Sequence, residues 1–308
     1  MKTKRALYLL FIFFSLSAMG QKSDSLSFFT PAKTLHTNRF IAVSTGGLGL
    51  CAGSLVGLNT LWYSDYPRSS FHLFNDADEW LQMDKAGHVV TSYYIGRTGI
   101  NLLRWSGVER KKAICFGGAL GFVYQGTVEL LDGFSTQWGF SWGDFSANTL
   151  GSIVLIGQEL VWDEQRISLK YSYHQTNYPQ YRPNLLGMTA IEQTIKDYNG
   201  QTYWLSANIG TFLNKENRFP RWLNVAVGYG AEGMTGAVFN PPFDKEGNQL
   251  PQFDRYRKFY FSLDADLTRI KTKSHFLKAV FNTIGFIKIP TPALELSEKG
   301  LKGHWIYF

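Results

Sequence analysis

The sequence predicts an α+β chain, with an N-terminal helical region followed by an antiparallel β-rich region. Two observations carry this. Up to about Trp162 the apolar residues recur at helical spacing, and after Gln165 the period changes to two. The chain is also rich in aromatic residues and glycine and carries 2 cysteines, which excludes both intrinsic disorder and a disulfide-stapled scaffold.

The first twenty residues read as a secretory signal. Lys2, Lys4 and Arg5 form a positive start, Ala6 to Leu16 is apolar, and Ala18-Met19-Gly20 is a cleavage site of small residues. The chain is thus expected to be exported, to the periplasm or outer membrane of a Gram-negative-type bacterium. No cysteine lies near the cleavage point, so lipid attachment there is not expected. Three of the positive charges lie in this segment, so the net charge of +7 becomes +4 on the mature chain. That balance, with Arg110-Lys111-Lys112 as its main basic run, gives no footprint for nucleic acid. A membrane or another envelope component is the expected partner; protein partners are left open. Cys51 and Cys115 are expected either to pair or to remain buried thiols.

Four helices are predicted over residues 35–164. Phe40 to Tyr63 carries no charge and has small residues such as Gly47, Gly49 and Gly53, a composition that lets helices pack closely. A second helix runs from Asp78 to Arg104, a third from Ala113 to Leu131, and a fourth from Trp142 or Asp144 to Val161. Short connections make these a four-helix bundle-like unit, in or against a membrane.

Residues 165–308 read as strands. Leu223, Val225, Val227 and Tyr229 share one face of one strand, and Phe259, Phe261, Leu263, Ala265 and Leu267 share a face of another. Further strands are expected at Leu169–His174, Tyr203–Leu213, Ala293–Ser297 and Gly303–Phe308, with an amphipathic helix over His275–Ile287. Aromatic-flanked alternating strands ending on Phe308 resemble those of outer-membrane proteins. The two architectures this allows are a small outer-membrane barrel and a curved sheet resting on the helices.

Polar residues stand where the helical pattern wants apolar ones. Asp84 and His88 lie four apart on one face, Glu129 and Asp132 close the third helix, and Asp144 and Asn148 open the fourth. With Lys85 they form a polar cluster. Asp84, His88, Glu129 and Asp144 are candidate ligands for a divalent metal, because imidazole and carboxylate together suit such an ion. His88, Glu129 and Asp144 are also candidate catalytic groups for acid–base or phosphoryl chemistry. The bland alternative makes Asp84 and Asp144 helix N-caps and pairs Glu129 with His88 or Lys85. His36, His72, His174, His275 and His304 read as surface or packing residues.

The ordered set Asp84-Lys85-x-x-His88, Glu129-x-x-Asp132-Gly133-Phe134 and Ser141-x-x-Asp144-x-x-x-Asn148-x-x-Gly151 resembles the YfiM-like family of predicted periplasmic lipoproteins. It is more distantly similar to VanZ-like membrane proteins. The resemblance implies a small helical domain at the cell envelope and no established reaction. This chain departs from it in lacking a lipidated cysteine and in its β-rich extension, where Lys196 to Ser206 is a distinct segment without an assigned role.

Two functions follow. The first is an envelope protein of structural or interaction type, with the polar cluster buried inside it. The alternative is a metal-assisted envelope hydrolase acting on a lipid or cell-wall phosphate; whether the chain is an enzyme is left open. A small transporter is a third reading, drawn from the uncharged first helix.

Overall fold

In the computed structural model the described residues are 27–60, 66–214, 218–244 and 246–308; the predicted signal segment lies outside them. Four long helices come first: α1 (Thr37–Leu58), α2 (Met83–Trp105), α3 (Arg110–Asp132) and α4 (Trp142–Val161). They alternate in direction. The starts of α1 and α3 lie at one end with the finishes of α2 and α4, as the Arg39 guanidinium over the Trp105 ring (4.3 Å) and the Arg110–Asp163 ion pair (2.5 Å) require.

Helices α2, α3 and α4 pack on one another, and small residues set their approach. A side chain on Gly121 would meet the Ser92 carbonyl at 1.9 Å, and one on Gly151 the Val89 carbonyl at 2.2 Å. Backbones that close leave no room for a methyl group. Helix α1 behaves otherwise. It buries no residue, so the expected four-helix bundle is a three-helix unit with α1 lying along its outside. The reason is compositional: α1 has apolar residues all round and no polar stripe to turn inward.

Six strands follow: β1 (Ile167–Tyr173), β2 (Gln201–Ala207), β3 (Leu223–Glu232), β4 (Tyr256–Ala265), β5 (Thr291–Ser297) and β6 (Gly300–Tyr307). They form an antiparallel sheet in chain order, each strand beside the next. The two-residue period is therefore read out directly as successive antiparallel neighbours. Short helices α5 (Pro183–Leu186) and α6 (Ala190–Lys196) join β1 to β2, and the amphipathic α7 (His275–Ile284) precedes β5. The predicted strand over 203–213 and the one carrying Phe259 to Leu267 end sooner, at Ala207 and Ala265, because one-turn helices at Ile209–Thr211 and Leu267–Arg269 break the extended chain.

The sheet is open, with β1 and β6 at its two edges, so the small closed barrel is not formed. It is strongly curled nonetheless. Lys170 on β1 reaches Asp264 on β4 at 2.7 Å, and the Thr202 hydroxyl on β2 meets that of Tyr307 on β6 at 3.0 Å. Side chains on strands so far apart in sheet order touch only when their shared face is concave. That concave face is buried and combines polar side chains with the rings of Trp204, Tyr260 and Tyr307. Ser206 donates to Asp264 (2.6 Å), the Asn224 amide to Ser206 (2.8 Å), and the Trp204 indole to Ser172 (2.9 Å). The convex face is apolar. At β1 and β2 it packs on the helices through Tyr93, Ile100, Leu155 and Leu169, at one end of β3 and β4 it meets the turn into α2 through Tyr229, Ala231 and Arg257, and the rest of it as far as β6 is exposed.

Candidate functional site

The cluster forms where α2 and α4 begin and α3 ends. Entry into α2 is unusual. Trp80, Leu81 and Gln82 all adopt left-handed backbone, with φ of 50°, 50° and 62°. Such residues cost about 1 kcal/mol or more apiece and persist when their surroundings hold them. The sheet supplies that hold: Tyr229 donates its hydroxyl to the Leu81 carbonyl, Arg257 donates to Gln82 at 2.5 Å, and the Trp80 amide donates to Ala237 at 2.8 Å. The turn aims the first residues of α2 between α3 and α4.

Spacing of four then lines up one polar face on each helix. Asp84, His88 and Ser92 lie on α2, Gln125 and Glu129 on α3, and Asp144, Asn148 and Ser152 on α4. His88 is the centre. Its Nε2 lies 3.7 Å from Asp84 Oδ2 and 4.0 Å from Asp144 Oδ2; its Nδ1 lies 3.9 Å from Glu129 Oε1 and 3.0 Å from Asn148 Oδ1. One ligand atom from each of Asp84, His88 and Asp144 can be chosen so that all lie within 4.8 Å of one another.

Lys85 occupies the other side of the group. Its ammonium contacts Asp76 at 2.9 Å and Asp144 at 3.3 Å. Ser141 donates its hydroxyl to Asp76 (2.7 Å) and accepts from the Asp144 amide (3.1 Å). Burial pushes the Asp76 carboxyl up, but hydrogen bonds with Asp144 and Ser141 and then the Lys85 cation outweigh it and hold Asp76 at about 2. Glu129 is almost wholly enclosed and accepts from the Ser141 amide at 3.3 Å. Asp84 is the most open of the carboxylates, with a quarter of its side chain exposed, and accepts from the Tyr198 hydroxyl at 2.6 Å.

Six of the seven predicted residues therefore meet: Asp84, Lys85, His88, Glu129, Asp144 and Asn148. Asp132 stands at the margin of the group: it falls in the turn closing α3, where its carbonyl accepts from the Ser135 amide (3.0 Å), and its charge adds to burial in raising the Glu129 carboxyl. Both N-cap assignments are also corrected. The cap of α4 is Ser141, with Asp144 in the first turn, and α2 begins from the left-handed Gln82 without a side-chain cap. Glu129 pairs with His88 as one alternative held, and Lys85 turns to Asp76 and Asp144 instead. Cys51 and Cys115 are both free.

Three partners escape a reading of the sequence. Asp76 sits in a loop with no periodicity to mark it. Gln125, whose side-chain amide lies 3.4 Å from His88 Nδ1, is marked only by its place four residues before Glu129. Tyr198 belongs to the distinct segment after α6, and its role depends on a contact across 114 residues of chain.

Residues 73–156 match the model of a family described as predicted periplasmic lipoprotein (DUF2279). That span holds every cluster residue named above except Tyr198. No curated protein and no solved structure matches the chain. The family description supports an exported protein of the cell envelope, while the narrower YfiM-like and VanZ-like likenesses belong to the sequence motifs alone.

Proposed function

We propose that the chain is a cell-envelope protein whose helical unit holds a divalent cation on Asp84, His88 and Asp144. The charge balance is the observation that carries this. Asp76, Asp84, Glu129 and Asp144 gather four carboxyl groups around one lysine and one histidine, with most of their area removed from water. Such a group is stable only with added positive charge, as protons or as an ion. Geometry admits the ion. Two ligands held at about 2.1 Å from one metal are at most about 4.2 Å apart; the His88 contacts to Asp84 and Asp144 at 3.7 and 4.0 Å fall inside that limit, and the three ligand atoms lie within 4.8 Å of one another, so a small inward movement completes the site. One imidazole with two carboxylates suits Zn2+ or Mn2+. Lys85 and Asp76 are then the outer pair that orients Asp144.

In this reading the cation ties α2 to α4. A second reading, metal-assisted hydrolysis of a lipid or cell-wall phosphate, rests on Glu129. It lies 3.9 Å from His88 but outside the ligand trio, where a general base would stand.

Metal analysis of the purified mature chain, after exposure to Zn2+ or Mn2+ and removal of excess ion, tests the site. We expect one equivalent in the parent, none in His88→Ala, and retention in Glu129→Gln. A folded parent that keeps no ion overturns the proposal. Loss of phosphate-ester hydrolysis in Glu129→Gln, with its metal retained, would select the hydrolase reading.

A further inference from the structure

We infer that the helices and the sheet together form one continuous belt that is solvated by a lipid bilayer. The first ground is that the protein is inverted. Its interior holds the ion pair Lys170–Asp264, at most 1% exposed, and the polar stripe between the helices, while many of its large apolar side chains face out. On the helices these include Leu48 and Leu50 of α1, Phe116 and Val123 of α3, and Leu150 and Ile153 of α4. On the sheet they include Val227, Phe261, Leu294 and Trp305, the last 90% exposed. Water penalises that arrangement, and a water-soluble monomer rarely shows apolar patches beyond a few hundred Å2. A spanning β-structure shows this polar-in, apolar-out alternation.

Dimensions are the second ground. Helices α1 and α3 have 22 and 23 residues, about 33 to 35 Å at 1.5 Å per residue, against a hydrocarbon core of about 30 Å. Their ends are marked. At one end stand Arg39, Arg104 and Arg110, the last two paired with Glu159 and Asp163. At the other end aromatic rings gather, among them Tyr66 against Trp138 and Trp142 against Phe140. Cations and aromatic rings at the two edges of an apolar slab are what the membrane–water boundary selects.

The third ground joins the two halves. Tyr94, midway along α2, donates to the Leu169 carbonyl on β1. Leu169 pairs in register with Leu205, then Val227, Phe261 and Leu294. The bare apolar row of the sheet therefore continues from the middle of the helical slab. It also follows that the Asp84–His88 group, at the start of α2, lies at the aromatic edge, at the depth of lipid headgroups.

Site-directed spin labelling in phosphatidylcholine vesicles tests this with the full mature chain. One label goes on the native Cys115 in a Cys51→Ser background. A second goes on Phe261→Cys, and a third on the loop position Asp244→Cys, both with the native cysteines replaced by serine. We expect Cys115 and Phe261→Cys to collide with oxygen and be shielded from a water-soluble nickel chelate, with Asp244→Cys showing the reverse. Nickel accessibility at Phe261→Cys with Cys115 shielded would restrict lipid contact to the helices and overturn the continuous belt. A chain that stays monomeric and soluble without detergent, or whose labels are shielded by a second copy in detergent-free buffer, would overturn bilayer contact altogether. Neither readout depends on the cation, so failure here is separable from failure of the metal site.

Discussion

His174 shows what a single buried side chain commits the protein to. It follows β1 inside the curled sheet, its ring 5.7 Å from that of Tyr307, with Nδ1 enclosed and unpaired. Burial first, and then the Lys258 cation, lower its pKa to about 4, against the weaker opposing pull of Glu232 and Glu295. The folded chain thus holds the ring neutral while an unfolded chain takes up a proton near pH 6.5. Stability is complete above that value and falls as pH drops from about 6.5 toward 4, by as much as about 3 kcal/mol. Thermal melts of the detergent-solubilised protein across this window are expected to show the decline, and His174→Gln to flatten it. An equal decline in the variant would assign the effect to other groups.

Between helices, close approach is the controlling term. The helix axes come together at Gly121, where any Cβ collides with the Ser92 backbone, whereas Gly126 five residues on has nothing nearer than 3.9 Å. Two chemically identical changes should therefore diverge. Gly121→Ala is expected to destabilise by about 2 kcal/mol or more, because the α2–α3 contact must open. Gly126→Ala is expected to be neutral or to stabilise by up to about 1 kcal/mol through helix propensity. Denaturation midpoints of the two variants check this, and similar values would mean that the helices are not in backbone contact. Opening at Gly121 also moves Gln125 and Glu129 away from His88 but leaves the Asp84, His88 and Asp144 trio on α2 and α4, so the same substitution should spare cation retention.

At the scale of the molecule the inverted interior makes buried charge pairs part of the fold. Lys170 and Asp264 join opposite walls of the curled sheet. Removing one partner strands the other, so Lys170→Met should cost about 3 to 5 kcal/mol. The double change Lys170→Met with Asp264→Leu should recover part of that loss, because Asp264 no longer lacks its ion-pair partner, although buried Lys288 then loses the Asp264 charge. A double variant as unstable as the single one would show that Ser206 and its neighbours, not charge, are what the pair supports.

How far the chain alone dictates this protein follows from the range of each interaction. Periodicity is local, so the switch from helical spacing to alternation near Gln165 identifies the four long helices, the six strands and α7 before any contact is known. The i, i+4 polar pairs Asp84/His88 and Asp144/Asn148 are equally local, and they point to the cluster. Which side of each element faces inward is not local. The same alternation in β4 serves a soluble sheet or an inverted one, and only the pairing of Lys170 with Asp264 across the curl decides it. Capping shows the limit as well: Asp144 looks like a helix start, but the three-residue offset to Ser141 is settled by backbone geometry. Asp76 and Tyr198 join the site through loops whose course depends on the docked sheet. The strained turn at Trp80–Gln82 has no sequence signal, because its φ values are imposed by hydrogen bonds from strands some 150 residues away.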